Sequence, residues 1–123
     1  MTTRQGSISW FVDLDGVASF HGSLAPVVEA QPGEVAAKIL VLHGAEDSMV
    51  PAEQVEAFKA EMDAVGADYS FISYPDAKHS FTNPGATNVG KKYDMPLAYH
   101  AQADEQSWGE LKGFLQALWP EKQ

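Results

Sequence analysis

A chain of 123 residues with 8 basic and 17 acidic side chains, net charge −9, has room for one domain and is poorly suited to phosphate backbones or anionic lipid surfaces. It contains no cysteine, so disulfides, thiolate metal sites and a cysteine nucleophile within these residues are excluded. Apolar residues at 45% and charged residues at 20% describe a globular domain rather than a disordered one.

In chain order, Met1-Thr2-Thr3-Arg4-Gln5 leads into too few apolar residues for a signal peptide, and no later stretch is long enough to span a bilayer. A cytoplasmic protein is the expectation. Ile8–Val12 offers a possible extra strand. Gly16-Val17-Ala18-Ser19-Phe20 is a short apolar run followed by His21-Gly22, and reads as a strand. Residues 23–36 hold Pro26, Pro32 and Gly33, so a connecting loop is expected. Ala37-Lys38-Ile39-Leu40-Val41-Leu42 is nearly continuous in apolar character, the pattern of a strand covered on both faces of a parallel sheet.

Pro51 then opens a helix, where its missing N–H costs nothing. Val55, Phe58, Met62 and Val65 form its apolar stripe, and Gly66 ends it. Tyr69-Ser70-Phe71-Ile72-Ser73-Tyr74 alternates and is aromatic, so it predicts a strand. A long loop is expected from Pro75 to about Leu97. A last helix runs from about Ala101 to Leu118, with Trp108, Leu111, Leu115 and Leu118 on one face and Pro120 as the stop. A strand–helix–strand unit implies parallel pairing. The fold class is therefore α/β, a small, mostly parallel sheet of three to four strands flanked by helices, in one domain spanning residues 1–123. The strand Gly16–Phe20 would leave an open edge, and open apolar edges invite association. A homodimer paired across that edge is expected.

Two strand ends carry the chemistry. Val41-Leu42-His43-Gly44-Ala45-Glu46-Asp47 ends in a turn with an acid, and Tyr74-Pro75-Asp76-Ala77-Lys78-His79-Ser80-Phe81 ends in a loop with a histidine. Loops at the C-terminal ends of parallel strands lie side by side, where open α/β folds gather their functional groups. A carboxylate that holds an imidazole makes it a general base, and acid before histidine is the order of the last two members of an α/β-hydrolase triad. The plainer alternative is a turn aspartate and a loop histidine that bond only locally.

Three ordered segments, Asp15 to Leu24, Ile39 to Asp47 with Val50-Pro51, and Tyr74 to Phe81, together with Lys91-Lys92-Tyr93, Ala98-Tyr99, Ala103-Asp104 and Ser107-Trp108, resemble the C-terminal half of the dienelactone hydrolase family. The resemblance runs from about Asp13 to Trp119. It implies a partial α/β-hydrolase fold, Asp47 as triad acid, His79 as triad base, a small ester or lactone ligand, and no cofactor. Family members place a cysteine or serine nucleophile on a glycine-rich elbow that should precede Gly16–Phe20. No G-x-S-x-G stands there. Ser7 and Ser9 are the nearest serines, with no second glycine after them. The resemblance thus implies a vestigial pair, Asp47 and His79, with no nucleophile and little turnover by these residues alone.

Two alternatives stand beside it. One is a non-enzymatic oligomeric module that uses the half-fold as a binding or assembly unit. The other rests on Trp10-Phe11-Val12-Asp13-Leu14-Asp15-Gly16-Val17, which resembles the first motif of haloacid-dehalogenase-type phosphatases, with Asp13 and Asp15 around a magnesium ion. That motif reads more simply as a polar turn feeding a strand. His21 and His43 precede glycines at strand ends, where an imidazole can cap backbone groups. His100 is expected to cap or flank the last helix. Trp108 and Trp119 fit helix packing. No zinc set, phosphate-cradling loop or nucleic-acid patch is present in the sequence.

Overall fold

The computed structural model describes residues 15–22 and 37–120. The proposed strand Ile8–Val12, Ser7, Ser9, Asp13 and the expected loop 23–36 lie outside them. Three strands, β1 (Gly16–Phe20), β2 (Lys38–Gly44) and β3 (Tyr69–Tyr74), form an all-parallel sheet in the order β1-β2-β3. In register, Val17 faces Ile39 and Phe20 faces Leu42 on one side, and Ile39 faces Tyr69 and His43 faces Ser73 on the other. β2 is the central strand. Its residues from Ile39 onward are buried, which explains why its sequence shows no alternation.

Between β2 and β3 runs α1 (Ala52–Val65), entered through Pro51 and closed by Gly66 in the left-handed region, as the sequence predicts. It buries Phe58, Met62 and Val65 against Ile39, Val41 and Val50, with Val17, Val55 and Phe71 packed around them. Phe58 meets the rings of Tyr69 and Phe71 at 6.0 and 6.3 Å. Each of these side chains, once buried, contributes roughly 1.5–3 kcal/mol of apolar transfer energy.

The other sheet face carries α3 (Ala101–Leu118). Leu40, Leu42, Tyr74, Ala77, Phe81 and Ala103 form its core, with Phe20, Ile72 and Phe114 beside them. Here the predicted stripe needs correction. Ala103 and Ser107 are the buried residues of α3, while Trp108 is 49% and Leu115 41% exposed. Trp108 lies over Phe20 of β1, ring centroids 5.1 Å apart, and Trp119 is 56% exposed beyond the helix. Small side chains are buried at the start of α3, Phe114 and Leu118 pack over β1, and Trp108 and Leu115 are left largely exposed.

The expected loop from Pro75 to Leu97 contains a third helix, α2 (Ala86–Tyr93). The glycine and proline cluster around Pro84 and Gly85, just ahead of this helix, marked the segment as a loop, and Gly90 within it is a weak helix former. That glycine serves a close approach instead: a Cβ there would stand 2.5 Å from the Leu97 carbonyl oxygen.

Candidate active site

All three strands deliver a titratable side chain just past their C-terminal ends: His21 after β1, Asp47 after β2 and His79 after β3. The turn after β2 is tied down by its backbone. Ala45 N–H donates to the Tyr74 carbonyl and Glu46 N–H to the Ala77 carbonyl, both at 2.9 Å. Gly44 makes this possible, because a Cβ there would come within 2.6 Å of the Ala77 carbonyl oxygen. The loop that carries the histidine therefore rests directly on the end of β2.

That packing brings the acid and the histidine together. The Asp47 side chain is fully buried, and its Oδ2 accepts a hydrogen bond of 2.9 Å from His79 Nδ1. Its Oδ1 accepts from Met49 N–H at 3.0 Å, so both carboxylate oxygens are engaged. An acceptor at Nδ1 places the ring proton there and leaves the lone pair of the neutral imidazole on Nε2. The His79 side chain is 24% exposed, so the ring is held from behind and open in front. Among the described residues no hydroxyl bonds that outer nitrogen.

The His79 loop is fixed from three directions. Asp76 and Ser80 both take left-handed backbone angles, φ 64° and 63°, which bend the chain on either side of the histidine. Ala98 N–H donates to the His79 carbonyl at 3.3 Å, and His100 N–H to the Phe81 carbonyl at 3.0 Å. Phe81 itself is fully buried.

Of the remaining histidines, His21 and His43 differ from the simple capping expected of them, and His100 does not. His100 does cap: its Nδ1 accepts from Ala103 N–H at 3.1 Å. His43 is instead a buried side chain against Phe71, ring centroids 5.5 Å apart. Burial lowers its pKa, opposed by Asp47 and assisted by Lys59. It lines an open cleft of about 500 Å³ with Lys59, Glu46, Glu56 and Ser73. His21 stands beside the acid–histidine pair, its ring 5.6 Å from that of His79. Sequence reasoning missed it because nothing in Phe20-His21-Gly22 signals which neighbour the imidazole meets.

Asp15 sits at the opening of β1, where its carbonyl accepts from Lys38 N–H at 3.1 Å. It lies at the opposite end of the parallel sheet from Glu46 and Asp47, roughly 15–20 Å away for strands of this length. Among the described residues no group of three acidic or histidine side chains is placed to hold a metal ion.

A parallel sheet with helices on both faces, and an acid and a histidine joined at the strands' C-terminal rim, defines a domain of the α/β-hydrolase type. Comparison with known proteins narrows this. The family model for the dienelactone hydrolase family matches residues 7–119, and the chain belongs to that family. An uncharacterized protein of Caenorhabditis elegans is 37% identical over 107 residues, covering 85% of this chain and 65% of its own length. The solved structure of m3DLH superposes with a TM-score of 0.78 at 31% identity, covering 87% of this chain and 43% of that one. A dienelactone hydrolase-like promiscuous phosphotriesterase from metagenomic libraries superposes with a TM-score of 0.71 at 29% identity, covering 84% of this chain and 42% of that one. The chain thus spans about two-fifths of the solved chains and somewhat under two-thirds of the nematode protein. No described helix is long and apolar enough to cross a membrane.

Proposed function

We propose that this domain carries the acid–base half of a carboxylic-ester or lactone hydrolase site, with Asp47 orienting His79 as the general base. The 2.9 Å bond between a fully buried carboxylate and a partly exposed imidazole carries this reading. A neutral ring with its lone pair on Nε2 is ready to take a proton from an attacking hydroxyl, thiol or water. The buried carboxylate then stabilises the imidazolium that forms. An attacking side chain and donors for the developing oxyanion are still required, and residues 1–123 hold no elbow of the family's pattern to supply them. General-base catalysis supplies about 10²–10⁴-fold of rate, while enzyme-like turnover also needs the nucleophile and the oxyanion donors.

Hydrolysis of p-nitrophenyl acetate by the purified chain tests this. The expected result is slow release without a burst, at the level of one exposed imidazole, and slower still in His79→Gln. Turnover in the usual enzymatic range of about 1–10³ s⁻¹, or release indifferent to His79→Gln, contradicts it.

A second reading, that the half-fold also serves assembly, draws on one observation. Trp108 and Leu115 are exposed on α3 and Trp119 just beyond it, and Trp108 lies against Phe20 of β1, an edge strand among the described residues. Exposed apolar side chains of this size are what two copies of a chain of net charge −9 could bury against each other. Light scattering should find a dimer that Trp108→Lys, a change at an exposed side chain, dissociates; a strictly monomeric wild type at micromolar concentration counts against it.

A further inference from the structure

We infer that His21 is a positioning residue for His79, holding the general-base imidazole against Asp47 with an uncharged ring. The inference rests on the acid–base reading above and adds a third strand end to it.

Three observations carry it. First, the His21 ring stands edge-on to two partners, the His79 ring at 5.6 Å and an interplanar angle of 67°, and the Phe81 ring at 5.3 Å and 80°. Edge-to-face contacts at such separations are attractive and directional. They limit rotation of the His79 ring about its side-chain bonds. Second, His21 Nε2 is hydrogen-bonded to Thr82 Oγ1 at 3.0 Å. Thr82 lies three residues after His79, so this bond ties the histidine loop to the end of β1 across 61 residues of sequence. His21 N–H also donates to the Leu42 carbonyl at 3.0 Å, which anchors it to the strand that leads to Asp47. Third, His21 occupies the left-handed region, φ 46°, uncommon for residues other than glycine, although asparagine, aspartate and histidine enter it more readily than the rest. Such backbone persists where the surroundings over-determine it, and it clusters at functional sites.

The charge state fits the role. Burial lowers the His21 pKa, and the neighbouring His79 lowers it further, against opposing contributions from the His21 backbone and Asp47. A second cation beside His79 would oppose the imidazolium that general-base catalysis creates. A neutral imidazole packs on the ring without that penalty.

The test uses the full chain labelled with ¹⁵N-histidine. A proton held between an imidazole nitrogen and a buried carboxylate resonates far downfield and exchanges slowly with water. Wild type should show this resonance for His79 Nδ1–H, and Asp47→Asn should abolish it. Asparagine tolerates the left-handed backbone, so His21→Asn should leave the circular dichroism spectrum unchanged. It should nevertheless broaden the resonance and speed its exchange by about tenfold, the factor expected when one net hydrogen-bond-sized restraint is lost. Thr82→Val, which removes only the tether, should fall between the two. If His21→Asn leaves the resonance and its exchange rate at wild-type values while Asp47→Asn removes them, His21 has no positioning role and the acid–base pair stands without it. If wild type lacks the resonance altogether, the pair itself fails and this inference with it.

Discussion

The two faces of the sheet use similar apolar spacing and reach different ends. On α1, Val55, Phe58, Met62 and Val65 turn to the sheet, and the last three are buried. On α3, Trp108, Leu111, Leu115 and Leu118 follow the same kind of stripe, yet Trp108 and Leu115 remain 49% and 41% exposed. The buried residues of that helix are Ala103 and Ser107, while Phe114 and Leu118 lie close over Gly16 of β1. The α1 face is a closed core. The α3 face is a core plus an apolar surface with nothing on it among the described residues. A stripe in sequence states which residues avoid water, and it does not state that the chain itself has enough surface to cover them.

That comparison can be broken from the closed side. Phe58→Ala removes a ring that is 2% exposed and should destabilise the domain by about 3–5 kcal/mol, the range for a large aromatic lost from a core. Urea unfolding of the two proteins checks it. A cost under about 1 kcal/mol, the ordinary level for a mild substitution, would mean that the α1 face is not the stabilising core.

A smaller effect sharpens it at the rim. Burial lowers the pKa of both His21 and His43 below the ordinary 6.5. The folded state then binds fewer protons than the unfolded state just below pH 6.5, so stability is full above that pH and is lost as pH falls through the window beneath it. The urea midpoint should fall between pH 7.5 and pH 5.5. In the His21→Asn/His43→Asn double variant the fall should be shallower, whatever the starting midpoint. A slope unchanged by the double variant would assign the loss to other groups.

The smallest effect is expected on the open side. Leu115→Ser should change the stability of the monomer by no more than about 0.5 kcal/mol, as for a surface position. A loss of several kcal/mol in the same unfolding assay would show that the α3 stripe is already covered.

Much of this was legible in the sequence. β2 and β3 announced themselves by an unbroken apolar run and an aromatic alternation, α1 by Pro51, its stripe and Gly66. The meeting of Asp47 and His79 followed from their place after adjacent parallel strands. Three features were hidden. α2 was concealed because Pro84 and Gly85 read as loop residues yet stand at its N-terminus, and because Gly90, a weak helix former, lets the helix approach the Leu97 carbonyl. The rotation of α3 was concealed because its buried residues, Ala103 and Ser107, carry little hydropathy. His21 was concealed because its partners, Thr82 and His79, lie about sixty residues away in sequence. Close approach and long-range side-chain pairing are properties of the packed chain, and no local pattern encodes them.

The central claim is that Asp47 and His79 are a working acid–base pair awaiting a nucleophile. The most direct measurement is ester hydrolysis by a chimaera in which residues 7–119 replace the matched portion of the dienelactone hydrolase-like phosphotriesterase, whose remaining chain they do not cover. The account predicts that the folded chimaera hydrolyses p-nitrophenyl acetate well above the isolated chain and loses about 10²–10⁴-fold of that rate in His79→Gln. A folded chimaera that turns over equally fast with glutamine at position 79 would contradict it.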